Sequence, residues 1–366
     1  LRIRRPPRST RKESSAASDV YKRQILFVAI TSLSMMFSVN AGELTVNGTA
    51  KATYNSTSGQ QVDTGLGVQN ELNFTASGEM DNGYTWSYSM ELDPRSADSG
   101  DAANDDTQLS LTMNDMGTIK VCVSECGNNK KYKFDQSAYT NMSDVGTSYG
   151  IVYPGASGDA NLATIQYHTP ELPFATTAAI AFSTNSADGT SGNGTGGTPG
   201  DSKNEYSLQT SPVDGLTLHA QYYDFNAYDD GVAASVEDSV EDGGAYAATY
   251  AYGNATIGYG KAFKTVADTS ATRNDGDTQA DYYETTGMSI GYAVNDDLSI
   301  SYTQEVSEVN YQTSTTVSYD VEMDSIQIAY SLGGATLSIA RADVENVSYV
   351  QDSDLTETII AMSFAF

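Results

Sequence analysis

The densest set of chemistry-bearing side chains in this sequence lies between Glu125 and Ala160. Lys130-Lys131-Tyr132-Lys133-Phe134-Asp135 sets three ammonium groups beside a carboxylate, Asp144 follows, and Pro154-Gly-Ala-Ser-Gly-Asp159 adds another acid. The chemistry available to such groups is electrostatic. Glu125, Asp135, Asp144 and Asp159 attract cations, with Lys130, Lys131 and Lys133 as the local basic counterweight; a solvated loop face is the plain alternative for the lysines. At roughly 35 residues the stretch exceeds ordinary connection lengths, which favours a functional role.

Other reactive residue types are scarce. Cys122 and Cys126 are the only cysteines. Their spacing permits a small local disulfide in an oxidising compartment, or two free thiols; zinc would need histidines nearby. His168 and His219 are the only histidines. A hydrolase would need one of them beside a nucleophilic Ser, and no Ser is singled out, so no catalytic residue is expected. Gly192–Gly197 lacks the strand–helix context of a phosphate cradle. Loosely held Ca2+ or Mg2+ on acidic loops is the one metal this composition allows, through oxygen ligands. No segment has a tight calcium spacing, so no cofactor is expected.

The elements that must position these groups are strands. From Glu43 the chain alternates apolar and polar with a period of two, broken by turn-rich stretches. Over Glu43–Tyr54, Leu44, Val46, Ala50 and Ala52 oppose Thr45, Asn47, Thr49, Lys51 and Thr53. Over about 69–80, Leu72, Phe74, Ala76 and Met80 oppose Glu71, Asn73, Thr75, Ser77 and Glu79. After Asp81-Asn82-Gly83, a tight-turn sequence, Tyr84, Trp86, Tyr88, Met90 and Leu92 oppose Thr85, Ser87, Ser89 and Glu91. Strands continue at about 107–113, 118–124, 161–169, 174–184, 204–211, 215–225, 244–252, 255–264, 282–293, 298–308, 319–331, 335–344 and 355–366. That makes sixteen. The alternation places Lys51, Glu71, Lys120 and Glu205 on the polar face.

Composition bounds the partners. The formal net charge is −28, but residues 1–41 carry eight of the 19 Lys and Arg and only Glu13 and Asp19. Residues 42–366 therefore hold 11 basic against 45 acidic side chains, a charge of −34. Nucleic acid is excluded, because phosphate binding needs a basic surface. The acids concentrate in long connections such as Asp229–Asp242 and Asp352–Glu357, where they solvate the surface or enrich cations at a channel mouth. Tyr (25) and Gly (32) are plentiful and Trp is single, a mixture suited to a barrel with a wet lumen and tyrosines at lipid headgroups.

Residues 1–24 are basic and aperiodic and resemble translated sequencing-adapter sequence, or a basic disordered tail. Ile25–Val39 is a short apolar run followed by Asn40-Ala41, the form of a signal-peptide core and cleavage site. At about 15 residues it is shorter than the roughly 20 a spanning helix needs. The expected organisation is an adapter-like segment 1–24, a partial signal peptide 25–41, and one β domain 42–366.

Seven tight turns alternate with eight long connections rich in Gly, Ser, Asp, Asn and Thr. That segregation is the layout of an outer-membrane barrel, with periplasmic turns and extracellular loops. The last strand ends at Phe366 with Ile360, Met362, Phe364 and Phe366 on one face. Such a row gains little in water and much against hydrocarbon.

Together the start Gly42–Thr49, the turn segment Gly78–Trp86, the long connection after Ile119–Val123 and the Phe366 terminus resemble the Gram-negative trimeric general-diffusion porins, most closely those of alphaproteobacteria. The resemblance covers 42–366. It implies a 16-stranded antiparallel barrel, a homotrimer among outer-membrane lipids and lipopolysaccharide, and a third loop folded into the lumen as a pore constriction. It also implies that Phe364 and Phe366 form an assembly signal read by the barrel-assembly machinery. The pattern departs from that family in one respect: residues 42–366 hold only Arg95, Arg273 and Arg341, none clearly on an inner face. Lys51 and Lys120 are the nearest substitutes for its basic wall. The expected function is passive, cation-preferring diffusion of ions and small hydrophilic solutes; the alternative is an adhesin or structural barrel with a blocked lumen.

Overall fold

The computed structural model describes residues 43–59, 64–94, 102–123, 133–143, 149, 151, 164–184, 202–226, 240–265, 280–311 and 317–366. Glu125, Cys126, Lys130, Lys131, Asp144 and Asp159 lie outside the described residues, as do residues 1–42.

Sixteen strands form. They are β1 (Glu43–Gly59), β2 (Thr64–Glu79), β3 (Thr85–Pro94), β4 (Ala102–Thr112), β5 (Thr118–Val123), β6 (Thr164–His168), β7 (Thr177–Thr184) and β8 (Ser202–Val213). The second half comprises β9 (Leu216–Asn226), β10 (Val240–Tyr252), β11 (Ala255–Thr265), β12 (Ala280–Ala293), β13 (Leu298–Tyr311), β14 (Val321–Ser331), β15 (Ala335–Glu345) and β16 (Leu355–Ala365). Each pairs antiparallel with its chain neighbours, and β1 pairs with β16 from Thr49↔Ala365 to Gly59↔Leu355. The sheet is a closed barrel, and closure removes the unpaired edges that expose a sheet to aggregation.

Strand existence follows the period-two reading, but strand ends do not. β1 runs on past Tyr54 through Asn55, Ser56, Thr57 and Ser58, and β2 starts at Thr64 rather than near 69. Backbone pairing continues along β1 although its apolar alternation has stopped, whereas on β2 Leu66 and Val68 carry the outer apolar row further, alternating with Gly65 and Gly67. The ladder bonds main-chain groups whatever the side chains are, so hydropathy underestimates strand length where the outer face no longer needs to be apolar. The chain expected to reverse between strands at about 161–169 and 174–184 turns instead at Phe174 and Ala175, both with positive φ (66° and 47°), closed by the Leu172↔Thr176 bridge. At Asp81-Asn82-Gly83 the expected tight turn forms: Gly83 takes φ 78° and its N–H donates to the Met80 carbonyl at 2.8 Å.

Burial is inverted relative to a water-soluble fold. On β14, Ile326, Ile328 and Tyr330 are exposed on the outer face while Ser325 and Gln327 are buried on the inner one. Similarly, Leu66, Val68 and Leu109 are exposed and Glu205, Glu305 and Glu357 are buried. Soluble proteins seldom bury carboxylates fully or expose large apolar rows; an apolar outer belt around a polar interior is the arrangement of a membrane barrel.

The inner face is not polar throughout. Val321, Met323, Ala340, Ala342, Val344, Leu355, Ile359 and Ala361, on β14–β16, form a buried apolar cluster inside the barrel. Met142 and Tyr149, from the connection after β5, complete it. A strand face that touches a packed segment instead of water carries apolar residues for the ordinary reason, burial worth about 1.5–3 kcal/mol per large side chain.

Candidate functional site

The connection after β5 enters the barrel. Its longest described part, residues 133–143, lies as a strap across the inner faces of β11–β14. Phe134 is buried over Gly258 on β11 and Gly287 on β12. From there the strap's backbone is held by side chains of the wall. The Gln136 N–H donates to Ser289 Oγ at 2.9 Å and the Ala138 N–H to Ser301 Oγ at 2.8 Å. Gln327 Oε1 accepts from the N–H groups of Tyr139 and Thr140 at 2.9 and 3.0 Å, and its Nε2 donates to the Thr140 carbonyl at 2.6 Å. Ser143 Oγ donates to Glu305 Oε1 at 2.9 Å. Segments without secondary structure must still satisfy their buried main-chain groups. Here the inward Ser and Gln side chains do so, which explains why they occupy the lumen face of those strands.

A second anchor follows. Tyr149 is fully buried, and its hydroxyl donates to the Glu357 carboxylate of β16, which also accepts from Asn55 Nδ2 of β1 at 2.6 Å. Burial and the adjoining carboxylate both push the Tyr149 phenol well above its ordinary value. The Tyr149 carbonyl accepts from the Ser348 N–H at 2.9 Å. Ser348 belongs to the β15–β16 connection, where Asn346, Ser348, Tyr349 and Asp352 all take positive φ. That connection packs Val347 and Tyr349 against the apolar cluster and sets the Tyr349 hydroxyl 2.8 Å from Ser307 Oγ.

Beside the strap lie β1 and β2. A cavity of about 360 Å³ is lined by Ala138 and Tyr139 of the strap, by Thr49, Lys51, Gln69 and Glu71 of β1 and β2, and by Thr336, Ser338 and Ser363 of β15 and β16. The Lys51 ammonium stands 5.7 Å from the centre of the Tyr139 ring, within reach of a cation–π interaction. Glu71 accepts from Thr49 Oγ1 and from Gln69 Nε2, both at 3.3 Å. One positive and one negative side chain thus face the gap beside the strap.

The remaining sequence candidates separate. Asp135 directs Oδ1 at the wall, where it accepts from Ser137 Oγ at 2.7 Å and Thr303 Oγ1 at 2.9 Å. Lys133 is exposed. Lys120 lies inward on β5, in register with Ser110 and Gln166. Glu205 is buried with Lys203, 2.9 Å away, whose ammonium also stands 4.6 Å from the centre of the Tyr223 ring. A paired carboxylate adds no net charge to the lumen. Alternation along β8 places Lys203 on the same face as Glu205, and that was the available signal for it. Cys122 is disulfide-bonded. Phe364 is exposed on the outer face, opposite Ala50 and Ala335. Phe366 exchanges backbone hydrogen bonds with Gly48 at 2.8 and 3.0 Å.

The two histidines lie on β6 and β9, His168 Nε2 being 2.8 Å from Gln166 Oε1. Among the described residues, no group of three His, Cys, Asp or Glu side chains could hold a metal ion, and no helix is long and apolar enough to cross a membrane.

No protein-family model and no curated protein matches this chain. Solved structures do. A porin covers 88% of this chain and 100% of its own at 15% identity, with a TM-score of 0.63. Salmonella typhi OmpF, in a complex with daunomycin, covers 89% and 98% at 14% identity and a TM-score of 0.66. OmpT, an outer membrane protein of Vibrio cholerae in its trimer form, covers 89% and 100% at 13% identity and a TM-score of 0.63. Identities this low establish a shared barrel fold.

Proposed function

We propose that this chain forms a water-filled channel in the outer membrane of a Gram-negative bacterium, through which ions and small hydrophilic solutes diffuse passively. The observation that carries the reading is the strap. A segment bound along the inside of a closed sixteen-stranded barrel, beside a cavity lined by Lys51 and Glu71, supports a passage that this segment narrows. Passage through such a constriction is governed by its width and its lining charges. The chemistry is hydration and electrostatics; no bond is made or broken, and no catalytic group or cofactor is needed.

Cation preference rests on the charge of −34 over residues 42–366, which enriches cations at the mouth within a Debye length of roughly 8 Å at physiological salt. Of the lumen-wall candidates, Lys51 and Glu71 lie on the neighbouring strands β1 and β2 with opposite charge, so the selectivity of the narrow zone is mild and the loop acids set the bias. The likeness in sequence motifs to alphaproteobacterial porins supports a homotrimer surrounded by lipid and lipopolysaccharide, with Phe366 presented to the barrel-assembly machinery. As the chain's only other cysteine, Cys126 is the proposed partner of Cys122, pinning the base of the third loop.

Single-channel recording in planar bilayers tests the reading. The expected result is large, persistently open steps and a cation-biased reversal potential under a salt gradient. A folded barrel that passes no current overturns it in favour of an adhesin or structural barrel.

A further inference from the structure

The inner face of the β11–β12 pair is unusually bare. Gly260 pairs with Gly287, Gly258 with Ser289, and Thr256 with Gly291, all pointing inward, while Ile257, Tyr259, Met288 and Ile290 between them are exposed on the outer face. Glycine weakens a strand interior, and where it recurs it often marks a place where another backbone approaches closely. Here the approaching group is the strap. A Cβ on Gly258 would stand 2.7 Å from the Phe134 carbonyl carbon, with the carbonyl oxygen closer still. A Cβ on Gly287 would overlap the edge of the Phe134 ring, 2.7 Å from Cε1 and nearer to Cζ and Cε2. A Cβ on Gly291 would stand 2.7 Å from the Gln136 carbonyl oxygen. At Gly258 and Gly291 the obstacle is main chain, which cannot swing away.

We propose that Gly258 and Gly287 set the size limit of the channel, although the strap covers both. They form a bed in which Phe134 is countersunk, and the depth of that seat decides how far the strap stands into the lumen. A single methyl group behind Phe134 lifts the strap off the wall and narrows the passage. The inference rests on the channel reading and names the positioning residues of its constriction. Gln136, Ala138 and Thr140 carry backbone bonds to Ser289, Ser301 and Gln327, so a shift at Phe134 is transmitted along the strap to Tyr139 beside Lys51.

The test uses the full barrel in planar bilayers and reads single-channel conductance and the largest polyethylene glycol that enters the pore. Gly287→Ala and Gly258→Ala are expected to lower conductance by roughly a third and to exclude smaller polymers than before, because passage follows diameter. Adding Phe134→Ala to Gly287→Ala makes room for the methyl group and is expected to restore both readings. Gly65→Ala is the control. Gly65 also lies on the inner face, on β2, and nothing stands within 4 Å of a Cβ there, so conductance stays unchanged.

Should the glycine variants fail to fold, Phe134→Ala alone empties the seat without adding bulk and is expected to raise conductance and admit larger polymers. Normal conductance and exclusion in folded Gly258→Ala and Gly287→Ala barrels, failure of the double variant to recover, or no change in Phe134→Ala would each overturn the proposal. Those outcomes leave the channel reading standing, whereas absence of current from the unsubstituted barrel removes the channel reading itself.

Discussion

The side-chain amide of Gln327 behaves toward Thr140 as a neighbouring strand would. Its Nε2 donates to the Thr140 carbonyl at 2.6 Å while its Oε1 accepts from the Thr140 N–H at 3.0 Å. One side chain thereby satisfies both main-chain groups of a residue outside any strand, and the same oxygen takes the Tyr139 N–H as well. Replacing Gln327 with Leu keeps the bulk and removes all three bonds. Each buried group left unsatisfied costs about 1–3 kcal/mol, so the variant is expected to lose several kcal/mol or to release the strap. Urea unfolding in detergent reads the first outcome and open-channel current noise the second; a variant unchanged in both would show that the strap is held elsewhere.

Lys51 and Glu71 face the same gap with opposite charge. Lys51→Glu is expected to move the reversal potential toward stronger cation preference, and Glu71→Lys to move it the other way. Both shifts should shrink as salt rises and screening shortens the reach of each charge. Equal potentials in the two variants would remove these residues from the constriction.

The bond between Tyr149 and Glu357 needs the phenol proton. Burial and the Glu357 carboxylate hold that proton above the ordinary value of 10.0. The folded state therefore keeps a proton at pH values where the unfolded chain, with tyrosines near ~10, has lost it. The stabilisation is full below that pH and falls as pH rises through the alkaline range. Open-channel noise is expected to increase above about pH 10 in the unsubstituted protein. Tyr149→Phe should be noisier at neutral pH and show no such onset; an alkaline onset that persists in the variant would assign it to another group.

Phe366 completes the β1–β16 seam through its two bonds with Gly48. Its ring lies close enough that a Cβ on Gly48 would stand 3.0 Å from Cε2. Deleting Phe366 is expected to reduce the yield of folded barrel in the outer membrane while leaving the conductance of the molecules that do fold unaltered. Altered conductance with normal yield would reverse that assignment.

Much of the barrel was legible without coordinates because a strand reports its two faces residue by residue. Leu72, Phe74 and Ala76 against Glu71, Asn73 and Thr75 already separate outside from inside. The inward placement of Lys51, Glu71 and Glu205 followed from the same count. The strap was legible only as a long connection. Asp135 has the residue type of a pore charge, and its carboxylate accepts from the neutral hydroxyls of Ser137 and Thr303; nothing local to Asp135 announces the partner on β13. Lys203, two positions from Glu205, could have been found, since residues two apart on a strand share a face.

What the amino-acid order determined by itself is therefore periodic and local: sixteen alternating strands, short turns against long connections, and an apolar outer row ending at Phe366. Only the tertiary structure decided where the third connection lies and what it needs. Glycines at 258 and 287 and the apolar inner faces of β14–β16 look like defects in a polar lumen when the strands are read singly, and Gln327 looks like any other polar lining residue. They make sense once a segment more than a hundred residues distant in sequence packs on them. Alternation is dictated by the two solvents on either side of one strand, whereas the seat of the strap is dictated by contacts between distant parts of the chain, which no local pattern encodes.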